Sequence, residues 1–130
     1  MLSNFPVMTL LPATDISRAE AFYAQKLKLS RADIPVTGNV VALKTGEVTV
    51  LYIYERDSGT KAEHPVAAWH VEDIEKIVSE LSERGVTFEH EVRDLQGLAP
   101  NELGIFEVNG EKIAYFKDSE GNLLSLAEPR

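Results

Sequence analysis

Cysteine is missing altogether from this 130-residue chain, which removes a disulfide framework, a thiolate metal site and a cysteine nucleophile from consideration. Any metal would have to be held by His, Asp or Glu. A long apolar run is missing too: no stretch reaches the ~18 residues of a membrane span. The opening MLSNFPVMTLL has neither the basic n-region nor the apolar length of a signal peptide. A soluble, cytoplasmic protein is the expectation. Basic residues are scarce beside acidic ones, 13 Lys and Arg against 21 Asp and Glu, for a formal net charge of −8. That balance opposes the counterion release that drives nucleic-acid binding and the attraction of anionic membranes. Neither is expected as a partner.

What the chain does have is 44% hydrophobic residues, enough for a core of its own, at a length typical of one compact domain. It also has an internal repeat. From Val7, VMTLLPATDISRAEAFYAQKLKL is a short apolar run, then Asp15, then apolar residues Ile16, Ala19, Phe22, Tyr23 and Leu27 at helical spacing. From Val66, VAAWHVEDIEKIVSELSERGVTF follows the same plan, with Asp73 ahead of Ile74, Ile77, Val78 and Leu81. Each Asp is placed to cap a helix by accepting from its first free N–H groups, and Gly85 is placed to stop the second helix.

After each helix come strand patterns: GNVVALKTG and EVTVLYIYE in the first half, VTFEHEV, GIFEVNG, EKIAYFKD and NLLSLAE in the second. The polar ERDSGTKAEHP, residues 55–65, reads as the connector. The expected fold is α+β, a single domain over residues 1–130 made of two βαβββ modules, about 5–56 and about 66–128. A half of about 60 residues is marginal alone, so the modules are expected to share a mixed sheet or to pair with another chain. Helices would lie on the outer face, with a cleft between modules. RDLQGLAPNELG, residues 93–104, reads as a loop, a lid over the cleft or a contact with a second subunit.

Three stretches, TDISRAEAFYAQKLKL, WHVEDIEKIVSELSERGVTF and KIAYFKDSEGNLLSLAEP, in that order, resemble the vicinal oxygen chelate superfamily of glyoxalases, extradiol dioxygenases and bleomycin-resistance proteins. The resemblance covers nearly the whole chain and implies the paired-module cleft and a homodimer. It also implies metal-ligand positions on the first and last strands of each half, which fall on Met8, Tyr52, Val66 and Ser125. None of the four is His or Glu, and a thioether or an aliphatic side chain is no hard ligand. The resemblance therefore implies a subgroup without the usual metal, and no cofactor is expected.

Strand alternation puts Met8 with Leu10, Val50 with Tyr52 and Tyr54, and Val66 with Ala68 and His70 on shared faces, leaving Trp69 and Val71 under the helices. The candidate site is then Met8, Leu10, Tyr52, Tyr54, Val66, Ala68, His70 and Ser125: an apolar, aromatic surface with a few polar groups, the usual make-up of a small-molecule site. None of these residues is Lys or Arg, so a planar or hydrophobic ligand suits them better than an anionic one. The leading expectation is a metal-independent small-molecule binder. The alternative is an enzyme, a lyase, isomerase or dioxygenase, either with metal ligands recruited from His70, Glu55, Glu107 or Glu128, or with His70 as general acid or base beside a tyrosine. A third possibility is an interaction module whose cleft is filled by its own side chains. His90, between Glu89 and Glu91, has the composition of a metal cluster, but alternation sends it to the opposite face from both carboxylates.

Overall fold

The computed structural model describes residues 1–130, and these divide into two compact units, Met1–Gly59 and Thr60–Arg130. The first unit runs β1 (Thr9–Ala13), α1 (Ile16–Gln25), β2 (Ser30–Arg31), β3 (Val40–Thr45) and β4 (Thr49–Glu55). The second runs β5 (Ala67–His70), α2 (Ile74–Glu83), β6 (Ile105–Val108), β7 (Glu111–Lys117) and β8 (Leu123–Glu128). Both are βαβββ modules, so the fold is α+β. Each carries its own four-stranded mixed sheet, ordered β1-β4-β3-β2 and β5-β8-β7-β6, in place of one shared sheet. In each, the first strand pairs in parallel with the last, and the remaining pairs are antiparallel. A parallel pair needs a crossover connection, and the helix with the two intervening strands supplies it. No helix is long and apolar enough to cross a membrane.

The helices start where the sequence places them. Asp15 accepts from the Arg18 amide at 3.0 Å, and Asp73 accepts from the Lys76 amide at 3.4 Å. Asp73 adopts a left-handed conformation, φ 54°, which Asp tolerates better than most residues, and its amide donates to the Glu128 carboxylate at 2.9 Å. Past α2, Gly85 at φ +90° lets its own N–H reach the Ser82 carbonyl and Val86 reach that of Leu81, the left-handed ending that favours glycine. Helix α1 buries Ala19, Phe22 and Tyr23 on the sheet face that carries Leu11, Ala13, Val41, Leu43, Leu51 and Ile53. Helix α2 buries Ile74, Val78 and Leu81 and packs on β7 and β8.

Two elements differ from the sequence expectation. Residues 86–92 form no strand: only an isolated bridge joins Phe88 to Phe116, with the Glu89 amide donating to the Tyr115 carbonyl at 2.8 Å. Strand β6 already pairs with Glu111–Ala114, so these residues extend its edge of β7 for one step only. Gly104, φ +92°, lies at the junction, where a Cβ would stand 2.9 Å from that of Phe88. The second difference is β2, whose two residues are too few to leave a period in the sequence. The turn before β8 is built on Asp118, whose carboxylate accepts from the amides of Glu120 at 2.8 Å and Asn122 at 2.9 Å and from the Asn122 side chain at 2.8 Å.

Candidate functional site

Each sheet has one face under its helix and one without, and every residue of the candidate site belongs to a helix-free face. In the first unit, Leu10 pairs in register with Tyr52, and Pro12 with Tyr54. The alternation that buries Leu11, Ala13, Leu51 and Ile53 against α1 turns Leu10, Tyr52 and Tyr54 to the other side. Met8 continues that row. Leu10 is 62% exposed and Met8 46%, unusual for large apolar residues. Leu10, Tyr52 and Tyr54, together with Pro35, Val36, Thr37 and Val40, line an open recess of about 400 Å³.

In the second unit, Ala68 pairs with Ser125 and His70 with Ala127, and Val66 extends the same row through its amide, which donates to the Leu123 carbonyl. Ala68 and His70 are exposed. Ser125 is 5% exposed. Tyr115, its partner on β7, joins Phe106, Leu123 and Val92 in a buried cluster, with Leu95 and Ile113 packed beside it. The Phe106 and Tyr115 rings meet edge to face, 5.8 Å between centroids. Here the segment after Val92, a 3-10 turn at Arg93–Leu95, covers the sheet face of its own unit. An ion pair from Arg93 to Glu63 ties it down. Burial pushes the Tyr115 phenol above its ordinary pKa, and the Asp94 and Glu111 carboxylates add to the shift.

The four positions that the resemblance marks for metal ligands offer a thioether, a phenol, an aliphatic side chain and a hydroxyl, a donor set that does not fit a divalent ion. The recruited carboxylates do not repair it. Glu55 follows Leu51 and Ile53 on the helix side of β4, and Glu128 follows Leu124 and Leu126 on the helix side of β8, where it holds the Asp73 amide. Glu107 points away from Phe106 and Val108 on β6. Neither unit contains a group of three or more His, Asp or Glu that could hold a metal ion. His70 has no hydrogen-bonded acid or tyrosine. Tyr115, on the same face, stands two strands away on β7.

Sequence reasoning missed Pro35, Val36, Thr37 and Val40, because all but Val40 lie outside any strand and carry no period. The exposed apolar Pro35-Val36 pair in a polar segment is the signal that was available. A larger hollow of about 700 Å³ runs beside residues 91–98. Its lining residues all belong to that one stretch of chain, so no scaffold of separate elements fixes its shape.

Two βαβββ modules with caps and parallel first-to-last strand pairing define the class. The chain belongs to the Glyoxalase/Bleomycin resistance protein/Dioxygenase superfamily, whose family model matches residues 6–126. Among solved structures it is similar to a glyoxalase family protein from Enterococcus faecalis, at 22% identity and a TM-score of 0.69 over 98% of this chain and 100% of that one. It is also similar to TnmS3, an antibiotic binding protein from a Streptomyces species, at 20% identity and a TM-score of 0.65 over 97% of both chains. A third similar structure is a lactoylglutathione lyase from Agrobacterium tumefaciens, at 22% identity and a TM-score of 0.63 over 95% of this chain and 92% of that one. At such identities the likeness is one of fold. No curated protein matches the chain in sequence.

Proposed function

We propose that this chain is a metal-independent member of the superfamily that binds a small, flat, largely apolar molecule against the helix-free face of its first sheet. The observation that carries the reading is the recess of about 400 Å³ bordered by Leu10, Val36, Tyr52 and Tyr54. Its size falls within the few hundred Å³ usual for small-molecule pockets, and two half-exposed tyrosines offer ring faces and hydroxyls that a planar ligand can use. Met8 extends the apolar row. On the helix-free face of its own sheet the second unit offers Val66, Ala68, His70 and Ser125 as a separate candidate surface. The antibiotic binding protein of similar fold supports it by analogy alone, since one scaffold hosts many functions.

The enzyme alternative has less support. Ser125 has no base hydrogen-bonded to it, and an unactivated hydroxyl is a poor nucleophile. His70 lacks a partner that would orient it. We further propose that the chain works as a cytoplasmic homodimer, with residues 1–130 as one functional domain.

The test is Tyr52→Ala with a naphthalene-type probe followed by amide chemical shifts. Removing the ring should weaken binding about tenfold and leave the dimer intact by light scattering. Unchanged affinity would take Tyr52 out of the site. Elemental analysis of untagged protein after incubation with Zn, Ni, Mn and Fe(II) and desalting should find no stoichiometric metal, and a full equivalent would sink metal independence.

A further inference from the structure

The helix-free face of the first sheet carries a charge that its composition does not suggest. Register and alternation place Met8, Leu10 and Pro12 on it from β1, Val50, Tyr52 and Tyr54 from β4, Val40, Ala42 and Lys44 from β3, and Ser30 from β2. One residue past β4, Arg56 continues the Tyr52-Tyr54 row: its amide donates to the Ala13 carbonyl at 2.9 Å. Its guanidinium carbon sits 5.9 Å from the centre of the Tyr54 ring. On a chain with 21 acidic residues and a net charge of −8, this face has two cations and no carboxylate. The acids of the first unit's strands and helix go elsewhere, Glu55 to the helix side of β4 and Glu20 to an ion pair with Arg31. Asp15, Asp33, Glu47 and Asp57 lie outside the strands. Neither Lys44 nor Arg56 is paired with a carboxylate.

The geometry points to a ligand with a flat apolar body and one negative charge, its body against Leu10, Tyr52 and Tyr54 and its acidic group on Arg56. This rests on the recess being the binding site and goes further by naming the ligand class. A guanidinium held against an aromatic ring keeps N–H donors in its plane for a carboxylate or phenolate oxygen. Successive same-face residues of a strand stand about 7 Å apart, so an anion attached directly to a two-ring body on Tyr52 and Tyr54 comes within reach of Arg56. Lys44, at the other end of the face beside Val50, contributes field without contact.

Two probes of nearly the same shape separate charge from area: 2-naphthoate and its neutral amide, 2-naphthamide, titrated at low salt into the whole chain. The anion should bind about tenfold more tightly than the amide, as a charge-assisted contact predicts. Arg56→Gln, checked for folding by circular dichroism, should bring the two within about twofold of each other, Lys44→Gln should reduce the preference less, and added salt should shrink it in the parent chain. Equal affinities in the parent chain, or a preference that survives Arg56→Gln, overturns the inference. If both probes bind equally and both weaken in Tyr52→Ala, the recess reading stands and only the anion falls. If neither probe binds the parent chain, both fall.

Discussion

The two modules have the same elements in the same order, yet they treat their helix-free faces in opposite ways. In the second, Val92 and Leu95 lie on Phe106, Tyr115 and Leu123, and that part of the face becomes core, while Ala68 and His70 at its β5 edge stay exposed. In the first, Pro35, Val36 and Thr37 border the face without burying it, and Leu10, Tyr52 and Tyr54 stay open around a recess. The difference lies in one connection. Residues 26–29 join the helix to the next strand in the first module, whereas residues 84–104 make the equivalent connection in the second and carry their own apolar anchors, Val92 and Leu95. A repeated fold thus yields one face largely buried as core and one left open.

The largest test of that contrast removes a ring from each face. Phe106→Ala should destabilise the chain by about 3–5 kcal/mol, the usual cost of a buried aromatic. Tyr52→Ala, on the open face, should cost within about 1 kcal/mol. Urea unfolding of both variants measures the pair, and similar losses would erase the distinction. The same curves bear on the proposed single domain, because one cooperative transition is expected for residues 1–130 and two would separate the modules.

A middle-sized effect should come from loosening the covering segment. Leu95→Ala removes a partly buried contact and should cost about 1–2 kcal/mol. It should also let the Tyr115 phenol fall back toward its ordinary value of 10.0, read by ultraviolet titration. The sign of the linked stability follows. With the folded-state pKa raised, the unfolded chain loses its proton first, so stability is full below about pH 10 and declines as pH rises toward the folded value. In Leu95→Ala that alkaline decline should be shallower. A phenol that titrates as in the parent chain would mean that the segment does not shield it.

The smallest effect belongs to the first module's surface. Arg31 donates to Glu20 at 2.5 and 2.8 Å, and this hydrogen bond, opposed in part by burial, holds the Glu20 carboxyl below its ordinary 4.5. A depressed carboxyl contributes stability above that value and loses it as pH falls. Arg31→Gln should flatten the acid side of the melting-temperature profile between about pH 5 and pH 3, slightly and less so in salt. No change in slope would leave the pair without effect on stability.

Much of this was legible in the chain itself. Asp15, Asp73 and Gly85 announced the helix ends through local hydrogen bonding, which needs only neighbours in sequence. The Tyr52-Tyr54 row followed from a period of two, and the modules from the repeat. Residues 86–92 misled, because a strand pattern records which side chains alternate and not whether a free sheet edge remains to pair with. Arg56 escaped notice because it stands one residue beyond its strand, where only the cation packed on Tyr54 reveals the face it shares.

By itself, then, the sequence determined the two βαβββ modules, their caps and the side chains available at Met8, Tyr52, Val66 and Ser125, since all of these are local patterns or residue identities. Only the tertiary structure decided which helix-free face is covered and which is open, and which charges stand beside the open one. Those outcomes depend on where a loop without periodicity comes to rest, and that is fixed by contacts between residues far apart in the chain.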